Sequence, residues 1–197
     1  MQWTEAAERL RKFEWSSARP RPVKGKPLSG PMTTNELKTI VYRGGVVRFR
    51  IPADWEEEYE PAGGGMFYAP GDETGTLRLA ITTFGAPAGK TLDVDDAEGF
   101  LAPFPSKYGV AVQPLRPGVA MIRYDLPASD RGHALKIRYW HVAQVIPPGH
   151  VRQSLFSYSV LEKLFDDRLL RQEMELLERE ISVAEFAPVL GQTRRAT

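Results

Sequence analysis

The stretch ALKIRYWHVAQVI, residues 134–146, decides the fold class, because its side chains alternate in character along its whole length. A period of two places successive side chains on opposite faces of a β-strand, whereas a helix requires a spacing of three or four. One predicted face carries Leu135, Ile137, Tyr139, His141, Ala143 and Val145, and the other carries Lys136, Arg138, Trp140 and Val142. We therefore expect a long strand whose first set faces a core and whose second, more basic set points away from it.

Other runs of strand type surround this segment and are separated by turns rich in Gly, Pro and Asp. They are residues 38–43, 46–51, 66–69, 76–84, 110–115, 119–126 and 151–160. Turns such as PPG, residues 147–149, are too short for a helical crossover, so neighbouring strands are predicted to be antiparallel. The pattern predicts a meander.

Two helices are predicted beside these strands. A short acidic one covers residues 93–101, with Thr91 or Asp93 as its cap. A longer one runs from about residue 167 to 183, capped by Asp166 or Asp167. Its apolar side chains recur at helical spacing and predict a core-facing stripe of Leu170, Met174, Leu177 and Ile181. The predicted fold class is α+β, an antiparallel sheet meander flanked by helices.

The composition is typical of one domain in a reducing compartment. The chain has 197 residues, of which 42% are hydrophobic, and no cysteine. Disulfides and thiolate zinc sites are thereby excluded. No apolar run approaches the roughly 20 residues of a membrane span, and the first residues lack the basic and then apolar order of a secretory signal. We expect a soluble, cytoplasmic protein without a membrane span.

The N-terminal part, residues 1–31, differs from the rest and is predicted to be an arm joined to a single domain of residues 32–197. Residues 3–15 have the pattern of an amphipathic helix, and residues 18–31, with four prolines and two glycines, have that of a linker. The arm holds seven Lys/Arg and three Asp/Glu, leaving 19 and 22 for the remainder. It is a flexible appendage, or an over-long start before Met32, or a docking arm for a partner or an acidic surface.

The segment GAPAGKT, residues 85–91, is not a phosphate loop. Such a loop needs four residues between its glycines, whereas three separate Gly85 from Gly89. The acids that follow would also repel a polyphosphate. We expect no nucleotide and no other cofactor, and, because only the arm is basic, no nucleic acid.

No pattern names a catalytic or metal site. The acids of residues 93–98 lack the spacing of a calcium loop, and His133, His141 and His150 match no ligand pair. His141 is expected to be a core histidine with its hydrogen bonds satisfied. The alternative is an enzyme with an unrecognised pocket near His141.

The remaining candidate is a protein-binding face. By alternation we expect a set of basic and large side chains to share one exposed sheet surface, namely Arg78, Met121, Arg123, Lys136, Arg138 and Trp140. Tryptophan and arginine concentrate binding energy at interfaces, and the expected partner is an apolar or acidic segment of another protein. The alternative is an ordinary solvated face, and a homodimer is left open.

Four strand signatures together resemble the PsbP-like superfamily: VRFRIPADW at 47–55, GGMFY at 64–68, TLRLAI at 76–81 and FSYSV at 156–160, before a long helix. The bacterial members include DcrB-type proteins and the adaptor chaperones of type VI secretion effectors. The resemblance covers about residues 40–186.

The resemblance implies an antiparallel sheet between helices, an αβα sandwich, and binding rather than catalysis. Members bind a photosystem, a small GTPase or the hydrophobic segments of an effector, and the family shares no catalytic motif that could be transferred. We expect a non-enzymatic binding module, possible forms being an adaptor or chaperone of the type VI secretion kind and an immunity-like protein.

Overall fold

The computed structural model describes residues 36–61, 63–71 and 73–189, without the side chains of residues 105 and 106. The predicted arm and its boundary at residue 31 lie outside this part of the chain. The described strands are β1 Leu37–Tyr42, β2 Val47–Pro52, β3 Glu56–Tyr59, β4 Gly65–Tyr68, β5 Thr76–Gly85, β6 Gln113–Arg116, β7 Val119–Asp130, β8 His133–Ile146, β9 His150–Leu161 and β10 Glu185–Phe186. The described α-helices are α1 Asp96–Leu101, α2 Pro103–Tyr108 and α3 Arg168–Ser182.

The strands form two antiparallel sheets, which confirms the α+β class. The larger sheet has the order β3-β4-β5-β9-β8-β7-β6, and the smaller has the order β1-β2-β10. The expectation of one continuous meander is wrong, because the connection that carries α1 and α2 leads from β5 to β6 at the far edge and β9 returns to pair with β5. This pairing joins two runs of strands and removes two sheet edges that would otherwise be unpaired.

Three elements escaped the sequence patterns. All four side chains of β3 are exposed, so no apolar alternation marks that strand. The strand β10 has only two residues. Helix α2 begins at Pro103, and proline is well suited to the first helical position, where no amide needs a partner.

Helix α3 begins where the sequence predicts. The Asp167 carboxylate accepts hydrogen bonds from the amides of Leu169 and Leu170, at 2.8 and 3.3 Å. In the short helix the expected caps are wrong, because α1 begins at Asp96 and its N-cap is Asp95, which makes no side-chain capping bond.

Two apolar cores lie on opposite faces of the larger sheet. We name these faces by one residue each, the Trp140 face and the His141 face. Helix α3 and the smaller sheet cover the Trp140 face, where they bury Ile40, Phe49, Ile51, Trp140, Phe156, Tyr158, Met174, Leu177 and Ile181. Helix α1 covers one end of the His141 face and buries Phe100, Leu101, Ala120, Ile122, Ala143, Val145 and Val151.

The face expected to be open is therefore the one under the terminal helix. Trp140 and Met121 are 0% and 1% exposed. Both contribute to the core that contains Met174 and Leu177 of α3. The sequence assigned the two faces of β8 the wrong way round with respect to α3.

We predict that Trp140→Ala destabilises the fold strongly. Removing a fully buried tryptophan leaves a cavity and should lower the free energy of unfolding by about 3–5 kcal/mol. Urea unfolding of the variant and the wild type measures this difference.

Arg123 is the matched control, since it pairs with Trp140 across β7 and β8 on the same face. Its guanidinium is half exposed and makes an ion pair with Glu178 at the surface. Arg123→Ala should cost under about 1 kcal/mol. Equal losses for the two variants would contradict the assignment of Trp140 to the core.

Candidate functional site

The six residues predicted to bind a partner do not share one surface. Arg78 pairs with Ser157, and Ser157 pairs with Tyr139, so Arg78 lies on the His141 face. The other five residues lie on the Trp140 face: Met121, Arg123, Lys136, Arg138 and Trp140. The predicted set is thus divided between opposite sides of the sheet.

The basic side chains on the Trp140 face already have partners within the chain. Arg138 donates to both carboxylate oxygens of Asp125, at 2.8 and 2.9 Å. Its pKa is raised, chiefly by this hydrogen bonding to Asp125. The Lys136 ammonium lies 4.2 Å from the centre of the Phe165 ring. These contacts and the cover of α3 leave no open basic face of the predicted kind among the described residues.

The His141 face is organised in rows that cross the sheet from β4 to β7. One row joins Tyr68, Thr76, Ser159, Ile137 and Leu126. The next joins Met66, Arg78, Ser157, Tyr139 and Tyr124. Helices α1 and α2 pack near the other end of the face, on β7 and β8.

The rows beyond these helices form an apolar surface that we call the open half. It consists of nine half-buried side chains: Met66, Tyr68, Ala80, Leu126, Leu135, Ile137, Tyr139, Leu155 and Leu161. None of them belongs to either apolar core. Within the described residues, neither core therefore extends over these side chains. At one margin Tyr139 stacks on Tyr124, which in turn stacks on Tyr108 of α2.

Carboxylates border the open half along the edge strand β3. Glu56 is opposite Tyr68 and Glu58 is opposite Met66, so both share its face, and the Tyr68 hydroxyl donates to Glu58. Burial lowers the pKa of Arg78, whereas the nearby carboxylates of Glu60 and Asp130 act to raise it. The open half thus combines apolar and aromatic side chains with a border that is mainly acidic.

Sequence reasoning noticed this apolar set but gave it the wrong role. Leu135, Ile137 and Tyr139 were expected to face the terminal helix because they are the apolar members of the alternation. The signal that could have identified an open surface was the uneven cover, since α1 and α2 are short and cannot extend over the whole sheet.

His141 is a core histidine, as predicted, but its side chain lies on the face that α2 contacts and not under α3. Its side chain ranks among the buried polar groups, with 4% of the residue exposed. The Gln153 amide lies 2.7 Å from Nδ1 and the Tyr124 hydroxyl 2.8 Å from Nε2. If the amide donates to Nδ1, the proton of the neutral ring lies on Nε2 and is donated to the hydroxyl oxygen. Burial lowers the pKa of His141 to about 3.

The GAPAGKT segment forms a local turn. The Lys90 amide donates to the carbonyl of Pro87 at 3.0 Å. Its ammonium contacts the carboxylate of Asp96 at the start of α1. The lysine charge is thereby directed to a neighbouring acid.

The described residues contain neither a cluster of metal ligands nor a helix that could span a membrane. No group of three or more His, Cys, Asp or Glu among them is placed to hold a metal ion. None of the helices in the same part of the chain has the length and apolar character needed to cross a membrane.

No protein-family model matches the sequence, and no significant match was found among curated proteins. Among solved structures, a protein from Bacteroides thetaiotaomicron is 16% identical, with a TM-score of 0.52 over 76% of this chain. The match spans 48% of that protein, so this chain corresponds to about half of it. At this identity the likeness concerns the fold alone.

Two further solved proteins were found. LpqN, which is involved in cell envelope biogenesis of Mycobacterium tuberculosis, is 12% identical with a TM-score of 0.49, over 73% of this chain and 88% of its own. A Mog1 mutant is 10% identical with a TM-score of 0.41, over 76% and 95%. At these identities and TM-scores, neither likeness carries a conclusion about this chain.

We predict that His141 makes stability fall in acid. The unfolded histidine binds a proton below its usual pKa of about 6.5, whereas the folded one, with its pKa near 3, does not. The contribution of His141 to the free energy of unfolding should therefore fall by about 1.4 kcal/mol for each unit that the pH decreases between these values. Urea unfolding of the wild type and of His141→Gln from pH 7.5 to 5 measures this contribution as a difference.

Glu173 changes stability with pH in the opposite direction, so its effect must be separated from that of His141. Burial raises its pKa to about 7, so its contribution to stability is full below about 4.5 and is lost as the pH rises to 7. Because Glu173 is common to wild type and His141→Gln, the difference between their slopes isolates the histidine. Parallel pH profiles would contradict the enclosed, neutral imidazole.

For Lys90→Ala we predict an almost unchanged melting temperature and no binding of ATP or GTP by either protein. The ion pair of Lys90 with Asp96 is exposed, and such a pair is worth about 0–1 kcal/mol. Calorimetric titration checks the nucleotides. Micromolar binding to the wild type that disappears in the variant would restore the phosphate-loop interpretation.

Proposed function

We propose that this chain is a non-enzymatic protein-binding module that receives a segment of another protein on the open half of the His141 face. The observation that carries this proposal is the set of nine half-buried apolar side chains that belong to neither core. Apolar surface of this extent is costly to leave in water, and such patches commonly mark interaction sites.

The residue types of the open half also fit an interface. Met66, Tyr68, Arg78 and Tyr139 lie in adjacent rows, and methionine, tyrosine and arginine are enriched where proteins meet. The tyrosines supply large contact areas with a polar end, as interfaces require. A solvated face would instead carry mainly long charged side chains.

The acidic side chains on the border determine which kind of partner segment fits the open half. Glu56, Glu58 and Glu60 favour a segment whose apolar side chains are flanked by Lys or Arg on the β3 side. This differs from the apolar or acidic segment that the six predicted residues suggested. Carboxylates along this border would repel an acidic flank.

An adaptor or chaperone role, of the kind performed for type VI secretion effectors, is the finer form of this proposal. A chaperone needs a surface that shelters an apolar segment of its client, and the open half supplies apolar rows for that purpose. An immunity-like protein would use the same surface to bind a toxin.

Capture experiments test the proposal with Ile137→Asp. A carboxylate in the middle of the open half should weaken binding of the partner at least tenfold, because its charge must be desolvated against apolar side chains. The fold should persist, since Ile137 lies outside both cores. The measurement compares proteins captured from native lysate, followed by affinity measurement with the purified partner and a thermal melt of each variant.

Leu169→Asp is the matched control. Leu169 is an apolar residue that is 48% exposed, and it lies at the start of α3 on the other side of the sheet. The Leu169→Asp variant should capture the same partner as the wild type. A partner that binds the wild type and both variants equally would refute the open half as the binding surface.

A further inference from the structure

We infer that residues 3–15 of the same chain dock on the open half and compete there with the partner. The inference takes the binding surface from the proposed function, but the docking itself can be measured without any partner. Four observations support it: the point of entry, the reach, the charge and the apolar pattern.

The described chain begins beside the border of the open half. Glu36 directly precedes β1, and its carbonyl accepts from the amide of Ala53 at 3.0 Å. Two residues later, the Lys38 ammonium pairs with Glu57 of β3 at 2.9 Å. Glu57 is opposite Phe67, so this ion pair lies on the Trp140 face. The preceding residues therefore join the domain next to β3 and must pass around this edge strand to reach the open half.

The connecting segment is long enough. Residues 16–35 lie between the predicted helix and Glu36, and at about 3.3 Å per residue they could extend over roughly 66 Å. Strands are spaced by about 4.8 Å, so the distance across the sheet from β3 to β7 is roughly 24 Å. The reach exceeds what is needed.

The charges are complementary. Residues 16–35 contain Arg19, Arg21, Lys24 and Lys26 and no Asp or Glu. The border that they must pass carries Glu56 and Glu58 on the face in question. Opposite charges at this point favour an approach over β3 onto the open half.

The apolar patterns are also complementary. A helix predicted from the sequence of residues 3–15 would present one apolar stripe, which consists of Trp3, Ala6, Ala7, Leu10 and Phe13. A helix of residues 3–15 would be about 20 Å long, which matches the roughly 19 Å between β4 and β7. The stripe thus has the length of the rows that it would cover.

Docking of the arm regulates access to the open half. A tethered ligand occupies its site at a high effective concentration, so a partner of the same chemistry must displace it. Freeing the arm should therefore strengthen capture of the partner.

The absence of cysteine from the 197 residues of the chain permits a direct test by disulfide formation. One variant carries Ala7→Cys in the stripe and Ala80→Cys in the open half. The control carries Ala7→Cys and Leu169→Cys, whose position is exposed on the other side of the sheet. Under mild oxidation we expect the first pair to close within one chain at least tenfold faster than the control.

The control works because an undocked arm would reach both positions. A domain of this size is roughly 40 Å across, less than the extended length of the tether. Adding Leu10→Asp to the first pair should reduce its rate to that of the control, since the carboxylate interrupts the apolar stripe. A thermal melt of each reduced variant verifies that the domain is folded.

Two results would overturn the inference. Equal rates for the two pairs would show that the arm does not prefer the open half. Disulfide-linked dimers formed in place of the intramolecular bond would show that a second copy occupies it.

The outcomes separate this inference from the proposed function. Fast closure of the first pair, together with unchanged capture by Ile137→Asp, would support docking of the arm and refute the partner site. Slow closure, together with loss of capture by Ile137→Asp, would do the reverse. If both hold, Leu10→Asp in the otherwise unchanged chain should capture more partner than the wild type.

Discussion

The burial of β8 on both faces in its second half is the constraint on which the rest of the fold depends. Every residue from Trp140 to Ile146 is buried, so two layers must meet this strand from opposite sides. Trp140 projects into the core beneath α3, whereas Ala143 projects into the core beneath α1. A shift of one residue in register would exchange the two sets and place His141 under the wrong helix. The strand therefore sets the position of both layers.

The first half of β8 is covered on one side only, and this asymmetry creates the open half. On the Trp140 face, the basic side chains meet acids and an aromatic ring, as Arg138 does with Asp125 and Lys136 does with Phe165. On the reverse, Ile137 and Tyr139 keep an apolar surface in partial contact with water. The fold thus places charged side chains against its own elements and leaves apolar ones partly exposed.

The residues that suggested catalysis have structural roles in the described chain. His141 bridges Gln153 and Tyr124 across neighbouring strands, and Lys90 contacts the first residue of α1. In both cases the polar group has a partner close to it. The open half has a different character, because it consists of half-buried apolar and aromatic side chains that belong to neither core.

Local patterns were sufficient for most of the strands, for the antiparallel direction of neighbouring strands and for the terminal helix. Alternation in residues 134–146 predicts a strand because the period of two is a property of the backbone, and Asp167 predicts a helix start because its carboxylate satisfies amides two and three residues later. The same patterns could not reveal β3, whose side chains are all exposed. Nor could they place β9 beside β5, since that pairing depends on residues far apart in the chain.

The sequence by itself determined that β8 has two chemically different faces. Only the tertiary structure decided which face is covered, because cover depends on where α3 and the short helices lie and not on the alternation. The basic face can be enclosed because acidic side chains of neighbouring elements pair with its basic ones. Asp125, for example, pairs with Arg138. Helices α1 and α2 were too short to enclose the apolar one. Burial is a property of the space between elements, whereas periodicity is a property of one element alone.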